Sequence, residues 1–235
     1  MFEINIATIF PDIFENVFKY SIIKRAIDRN LIEINTYDIR DYTLNKHKKI
    51  DDYPYGGGPG MLMMADPIYR CYEDVLRKKK EIHTIYLTPK GKILKQKTLN
   101  EIVKKNKSIF VICGHYEGVD QRLIDLIVDE EISIGDYVLT GGEIAGLVLI
   151  DAIARLIPGV LKNTICFEEE SHYNGLLEHP QYTKPREWRN LEVPEVLLSG
   201  NHEEIAKWKL EKSIEETKNK RPDMWEKYIE GQKND

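Results

Sequence analysis

The sequence is poor in cysteine, and this scarcity excludes several classes of protein. Only three cysteines occur in 235 residues. Cys71, Cys113 and Cys166 are far apart, odd in number and without C-x-x-C spacing, so they indicate neither a disulfide framework nor a zinc site. We therefore expect a cytoplasmic protein.

A long apolar segment is also lacking. The most apolar stretch, residues 144–157, is interrupted by Gly146, Asp151 and Arg155, so it does not qualify as a membrane span. The first residues alternate apolar and polar side chains without a basic region. We expect neither a signal peptide nor a membrane partner.

An excess of positive charge is missing, and so are two nucleotide-binding fingerprints. The net charge is −5, so any contact with nucleic acid requires a local basic surface. The glycine-rich residues 56–60 are not followed by Lys-Ser/Thr, and no G-x-G-x-x-G follows the first strand-like segment. This argues against a P-loop and against a Rossmann dehydrogenase or methyltransferase.

The first two thirds of the chain alternate strand-like and helix-like patterns. Helices are predicted from Pro11 through Ile22, over 66–80 with Asp66 as N-cap and Pro67 as first helical residue, and over 95–105, 120–127 and 143–157. Strands are predicted at 3–9, 32–39, 83–87, 108–113 and 131–134. Such alternation predicts an α/β fold, in which helices cover a parallel sheet.

The pattern changes after Pro158-Gly159. Residues 161–200 carry several prolines and little periodicity, whereas Asn201 and Glu204 form a capping-box pattern ahead of a helical stretch. We predict a first domain over residues 1–160, an interdomain linker over 161–175, and a small helical domain over 176–235.

Three consecutive strands of the first domain each end in a polar loop that contains glycine. These loops cover residues 87–91, 113–120 and 133–143. In open α/β sheets, ligands bind at the carboxyl ends of the strands, so the loops together predict one pocket. A plain strand-to-helix turn remains an equal interpretation of residues 133–143 taken alone.

Five segments of the chain resemble motifs of the bacterial tRNA (guanine-N1-)-methyltransferases. The resemblance extends from about Met1 to beyond Trp208, and its segments are residues 52–61 (DYPYGGGPGM), 114–118 (GHYEG), 133–143 (SIGDYVLTGGE), 151–160 (DAIARLIPGV) and 196–202 (VLLSGNH). It implies a SPOUT fold, in which a parallel sheet carries a deep trefoil knot on its C-terminal side, here from about Tyr86 to Gly142, ahead of a small all-helical domain. It also implies methyl transfer from S-adenosyl-L-methionine to N1 of guanosine-37 in tRNA, which helps maintain the reading frame.

The resemblance further implies binding residues and partners. The substrate would be tRNA with guanosine at positions 36 and 37, and the enzyme would be a homodimer with its active site at the subunit interface. A magnesium requirement is implied without a fixed protein site. The RNA-binding residues would be Tyr55, Gly57, Gly58, Pro59, Asn201 and His202. Glu117 would face the methionine amino group, and the cofactor-binding residues would be Tyr86, Leu87, Pro89, Gly114, Tyr116, Glu117, Gly118, Ser133, Ile134, Gly135, Asp136, Tyr137, Val138, Leu139, Gly141 and Gly142.

Methylation of guanine N1 needs a base near N1, which carries a proton at neutral pH, and a group that stabilises negative charge at O6. The resemblance assigns charge stabilisation to Arg155 and the base to Glu170, where the family has aspartate in an Asp-Ser-Phe sequence. His172 replaces the phenylalanine of that sequence, so whether Glu170 or His172 accepts the proton stays open. Taken alone, Arg155 is a helix C-terminal arginine and Glu170 ends a solvated acidic run.

Several basic groups are candidates for phosphate contacts: residues 46–49, residues 77–80, Lys184, Arg186, Arg189 and Lys207. Three alternative functions remain: a SPOUT methyltransferase with a ribose or adenine target, a non-catalytic RNA-binding module, and a metabolic nucleotide-binding enzyme.

Overall fold

A five-stranded parallel sheet organises the first of the two units into which the chain divides, residues 1–162 and 163–235. The structure is a computed structural model that describes residues 1–79, 81–161 and 170–232. The sheet order is β2-β1-β6-β5-β7, which confirms the predicted parallel α/β arrangement. Its strands are β1 (Phe2–Thr8), β2 (Ile32–Asp38), β5 (His83–Ile93), β6 (Ser108–Cys113) and β7 (Glu130–Ser133).

Helices cover both faces of this sheet because its central strands are apolar on both sides. On β6, Ile109 and Val111 face one hydrophobic cluster, whereas Phe110 and Ile112 face the other. The first face packs against α1 (Pro11–Val17), α2 (Ser21–Asp28), α4 (Gln96–Lys105) and α6 (Glu143–Leu156). The second face packs against α3 (Ala65–Lys78) and α5 (Gln121–Ile127).

Local details differ from the sequence predictions at two helices. The predicted helix from Pro11 through Ile22 is broken, because α1 ends at Val17 and Ser21 opens α2 with a left-handed φ of 58°. The predicted N-cap at Asp66 is wrong: α3 begins at Ala65, two residues before the predicted first helical residue Pro67, and its N-cap is Met64. The Asp66 carboxylate instead accepts from Arg70 Nε at 2.8 Å, one helical turn further on.

A small antiparallel pair, β3 (Asp51–Asp52) and β4 (Leu62–Met63), closes the glycine-rich residues 53–61 into a loop. The second unit has its own helices, α7 (His202–Lys220) and α8 (Pro222–Gln232). Asn201 caps α7 as predicted, since its Oδ1 accepts from the backbone N–H groups of Glu203 and Glu204. The reciprocal half of the capping box does not form, because the Asn201 N–H donates to Ser199 Oγ.

The expectation of an all-helical second unit is wrong for residues 187–192. There β8 (Glu187–Trp188) and β9 (Leu191–Glu192) form an antiparallel hairpin. Its turn residues Arg189 and Asn190 have φ of 50° and 62°, the pair of positive values that a type I′ turn requires. Over the described ranges of both units, no helix combines the length and the apolar composition needed to cross a bilayer.

Candidate active site

A cavity of about 460 Å³ lies where β5, β6 and β7 end, a size typical of small-molecule sites. The three polar loops that follow these strands line it together. Of the sixteen residues predicted to bind a cofactor, all except Asp136 line the cavity, and the Asp136 side chain is exposed. The structure therefore brings the predicted cofactor residues into one site of the first unit.

The wall of the cavity depends on a close approach between two backbone segments. The Gly142 N–H donates to the Gly114 carbonyl oxygen at 2.7 Å. A Cβ atom at Gly142 would lie 2.9 Å from both Cys113 Cα and Gly114 N, closer than real Cβ contacts occur. Only glycine therefore fits at position 142, and this wall presents peptide groups to a ligand.

Tyr86 lies under the loop that follows β6. A Cβ atom at Gly114 would be 2.9 Å from the Tyr86 ring, so the missing side chain leaves room for the phenol. Burial is the main cause that raises the pKa of the Tyr86 hydroxyl, which therefore stays neutral at physiological pH. The site thus has an uncharged aromatic floor.

Acidic groups outnumber basic ones among the charged side chains that line the cavity. Glu117 and Glu131 are the carboxylates, and Lys90 is the ammonium group. Two carboxylates beside neutral backbone suit a polar ligand that carries positive charge.

The glycine-rich loop, residues 53–61, lies directly beside the cavity loop 114–120. The Glu117 N–H donates to the Met61 carbonyl at 2.9 Å, and Met63 N–H donates to the Gly118 carbonyl at 2.9 Å. A Cβ atom at Gly60 would lie 2.4 Å from Glu117 Oε1. The predicted RNA-binding residues Tyr55, Gly57, Gly58 and Pro59 are all exposed in this loop.

Sequence reasoning missed Glu143 as a residue that positions the cavity wall. Its side chain is only 4% exposed, and its Oε1 accepts from Thr8 Oγ1 at 2.9 Å. This bond ties the end of β1 to the start of α6, immediately after the glycine wall. The available signal was a carboxylate that directly follows two glycines at the start of an apolar helix, where the helix dipole favours negative charge.

Comparison with known proteins adds the family. A family model matches residues 2–227 of the chain, and its description is "tRNA (Guanine-1)-methyltransferase TrmD". The tRNA (guanine-N(1)-)-methyltransferase of Ruminiclostridium cellulolyticum is 50% identical over 228 residues, covering 96% of this chain and 97% of that protein. The chain belongs to the tRNA (guanine-1)-methyltransferase family.

Other relatives in the family are equally similar along their whole length. The tRNA (guanine-N(1)-)-methyltransferase of Clostridioides difficile is 52% identical over 225 residues, covering 95% of this chain and 97% of that protein. The protein of the same description from Buchnera aphidicola subsp. Acyrthosiphon pisum is 52% identical over 223 residues, covering 95% and 94% respectively. This methyltransferase family membership therefore extends over both units.

The two predicted catalytic side chains of the methyltransferase belong to different units. Arg155 lies in the last turn of α6, in the first unit. Glu170 lies in the second unit, where its carbonyl accepts from Tyr173 N–H at 3.4 Å. The turn after Glu170 is anchored to α7, because Leu177 N–H donates to Thr217 Oγ1 at 2.8 Å.

The remaining predicted contacts are at the surface. Asn201 and His202 are exposed at the start of α7. The basic runs are partly neutralised: Lys48 pairs with Asp41 at 2.6 Å, and Lys78 pairs with Asp74 at 3.0 Å. Lys80 and Cys166 lie outside the described residues. Within residues 1–79, 81–161 and 170–232, no three His, Cys, Asp or Glu side chains form a group able to hold a metal ion.

We predict that Gly142→Ala weakens binding of S-adenosylmethionine. The added methyl group has no space against Cys113 and Gly114, and overpacking of this kind costs about 1–3 kcal/mol, which corresponds to about fivefold to 150-fold in affinity where the ligand needs the undistorted wall. Isothermal titration calorimetry measures the change. Gly231→Ala is the matched control, because no atom lies within 4 Å of its added Cβ. Equal affinity of the two variants would show that the wall does not bind the cofactor.

Proposed function

We propose that this enzyme transfers a methyl group from S-adenosyl-L-methionine to N1 of guanosine-37 in tRNA, which yields 1-methylguanosine. The observation that carries the proposal is the cavity built from the three strand-end loops, in a chain of the tRNA (guanine-1)-methyltransferase family. Both the substrate atom and the residue roles below are part of the proposal.

The residues that line the cavity fit S-adenosylmethionine. Gly114, Gly141 and Gly142 offer backbone groups to an adenosine, and Glu117 offers a carboxylate to the methionine amino group. A net acidic lining complements the positive sulfonium. When bound, the cofactor supplies an electrophilic methyl group that needs no metal for activation.

We also propose that the chain between about Tyr86 and Gly142 threads the deep trefoil knot of the SPOUT fold. The backbone contact between Gly114 and Gly142 supports this topology, since threading requires that the segments after β6 and β7 pass each other closely. Sequence pattern alone excludes knots by default because they are so rare.

Glu170 is the base in our proposal, and Arg155 stabilises the negative charge at O6. A carboxylate accepts the N1 proton at neutral pH, and glutamate has nearly the same reference pKa as the aspartate of the family. His172 instead takes part in the backbone of the turn, with a φ of 75° and an N–H that donates to the Leu176 carbonyl at 3.0 Å. This backbone bond does not involve the imidazole, so the His172→Phe variant tests whether that ring takes part in the proton transfer.

The proposed enzyme is a homodimer, and the geometry of α6 supports this assignment. Ile144 and Val148 are 51% and 44% exposed, and helical spacing puts them on one stripe with Asp151 and Arg155. Arg155 follows Glu143 by twelve positions, about 18 Å along the helix axis, so it lies far from the glycine wall of its own chain. A second copy on this apolar stripe would bring Arg155 to a subunit interface, where it can serve the partner's cavity.

The second unit holds the tRNA in this proposal, through Asn201 and His202, while the glycine-rich loop contacts guanosine-36 and guanosine-37. Exposed glycines allow a base to approach the backbone closely, and Tyr55, fully exposed, offers a ring for stacking.

We place the enzyme in the reducing cytoplasm, supported by the free, buried thiols of Cys71 and Cys113. A magnesium requirement is part of the proposal, without a fixed protein site.

The first experiment supplies labelled S-adenosylmethionine and two tRNA transcripts, one with guanosine at 36 and 37 and one with adenosine at 37. We expect label only in the guanosine transcript, recovered as 1-methylguanosine after digestion. Label in both transcripts would indicate a SPOUT methyltransferase with a ribose or adenine target. Cofactor binding without label in either transcript would favour the non-catalytic RNA-binding module.

We predict that Glu170→Gln lowers kcat by about 10²–10⁴-fold, the contribution typical of a positioned base. Affinity for S-adenosylmethionine should not change, since the cavity lies in the other unit. Single-turnover kinetics at saturating tRNA separate the two effects. Glu178→Gln is the control carboxylate of the same turn, and His172→Phe should also remain active. Near-normal turnover by Glu170→Gln would contradict the assignment.

We predict that Val148→Asp converts a dimer into a monomer that binds tRNA poorly and turns over slowly. A carboxylate on the apolar stripe loses its hydration when the second copy packs against it. Analytical ultracentrifugation measures the mass. Leu126→Asp, on the exposed side of α5, is the control and should keep the wild-type mass. A monomeric wild-type enzyme with full activity would refute the interface.

A further inference from the structure

Four exposed lysines follow one another along a stretch without acidic residues that begins at the cavity. Residues 82–100 contain no Asp or Glu but include Lys90, Lys92, Lys95 and Lys97, all exposed. We refer to these four side chains as the lysine track. The charged side chains of this stretch are therefore all of one sign, in a chain with 39 acidic and 34 basic residues.

The lysine track begins at the cavity and ends on α4. Lys90 lines the cavity itself. After a register shift, β5 pairs with β7 again: Lys92 and Ile93 lie opposite Ile132 and Ser133. The backbone continues through Leu94, whose N–H donates to the Ser133 carbonyl at 2.8 Å, into α4.

This backbone is held in place by packing. On α4, Leu99 and Ile102 are buried in the core of the first unit, which leaves Lys97 on the outer face. A Cβ atom at Gly91 would lie 2.5 Å from Ile132 N, so β5 presses directly against β7 between Lys90 and Lys92. The lysines therefore project from ordered strand and helix.

The charges of the lysine track are not neutralised. Among the residues that the structure describes, no carboxylate oxygen lies within 4.0 Å of these four ammonium groups. Several other lysines do have a carboxylate partner, such as Lys105 with Glu101 at 3.2 Å and Lys24 with Asp28. Unpaired ammonium groups keep their full attraction for an external polyanion.

We propose that the lysine track is a phosphate-binding surface that holds the RNA backbone next to the target nucleoside. The inference rests on the proposed function, because it takes tRNA as the polyanion. Lysine binds phosphate as a point charge without reading sequence. The track therefore contributes affinity and orientation at the mouth of the cavity, while other residues select the base.

The test uses two triple variants with the same change of charge. The first is Lys92→Gln, Lys95→Gln and Lys97→Gln, which spares Lys90 because it lines the cavity. The control is Lys104→Gln, Lys105→Gln and Lys107→Gln, at the opposite end of α4. Affinity for tRNA is measured by fluorescence anisotropy over a range of salt concentrations, with KM and kcat from the methylation assay and cofactor affinity from calorimetry.

For the first triple variant we expect the slope of log affinity against log salt to become shallower by about 2 to 3, from the release of counterions at three phosphates. KM for tRNA should rise at least about tenfold at low salt, while kcat at saturating tRNA and cofactor affinity stay unchanged. The control variant should keep the wild-type slope and KM.

Two results would contradict the proposal that the lysine track binds the RNA backbone. In the first, the wild-type enzyme methylates tRNA and the first triple variant keeps its slope and KM. In the second, both triple variants change the slope equally, which shows that net charge matters and position does not. If the wild-type enzyme methylates no tRNA, the proposed function itself fails, and this outcome is distinct from the other two.

Discussion

The backbone contact between Gly114 and Gly142 is the constraint on which the rest of the site depends. It closes the cavity wall and also fixes where α6 begins, because Gly142 directly precedes the helix. Through the rigid helix, the same contact determines the position of the exposed stripe and of Arg155. The buried bond from Thr8 to Glu143 holds the helix start from the other side. One tight approach of two glycines thereby links the cavity wall to the surface where a second subunit is proposed to bind.

Local patterns predicted those parts of the fold that depend on neighbours in sequence. The apolar strands of the first unit and the glycine-bearing loops at their ends were recognisable because burial on both faces leaves continuous apolar runs. The prediction failed where two local signals competed. Asp66 followed by Pro67 is a common helix start, yet the helix begins earlier and Asp66 stabilises it through an ion pair with Arg70 instead.

The contacts that assemble the site were not predictable from spacing, since they join segments far apart in the chain. Met61 and Met63 pair with the loop of Glu117 and Gly118 about fifty residues later, and Thr8 meets Glu143 across most of the first unit. The sheet order, in which β5 lies between β6 and β7, also cannot be predicted from the hydrophobic periodicity of the sequence. For this reason the predicted cofactor residues came from the family resemblance. A sequence motif identifies residues that meet in the folded protein even when their contacts cannot be derived from spacing.

A negatively charged chain that acts on RNA poses an electrostatic question, and the distribution of its charges answers it. At physiological salt an exposed charge is screened beyond about 8 Å, so the net charge of −5 has little influence on a phosphate held at one surface. Local composition decides instead. Lys48 and Lys78 of the basic runs are paired with carboxylates, whereas Lys92 and Lys95 are exposed in a stretch without acidic residues that follows the cavity residue Lys90. On the proposed function, carboxylates inside the cavity attract the cationic cofactor and the lysine track attracts the polyanion, so the sign of the charge separates the two substrates.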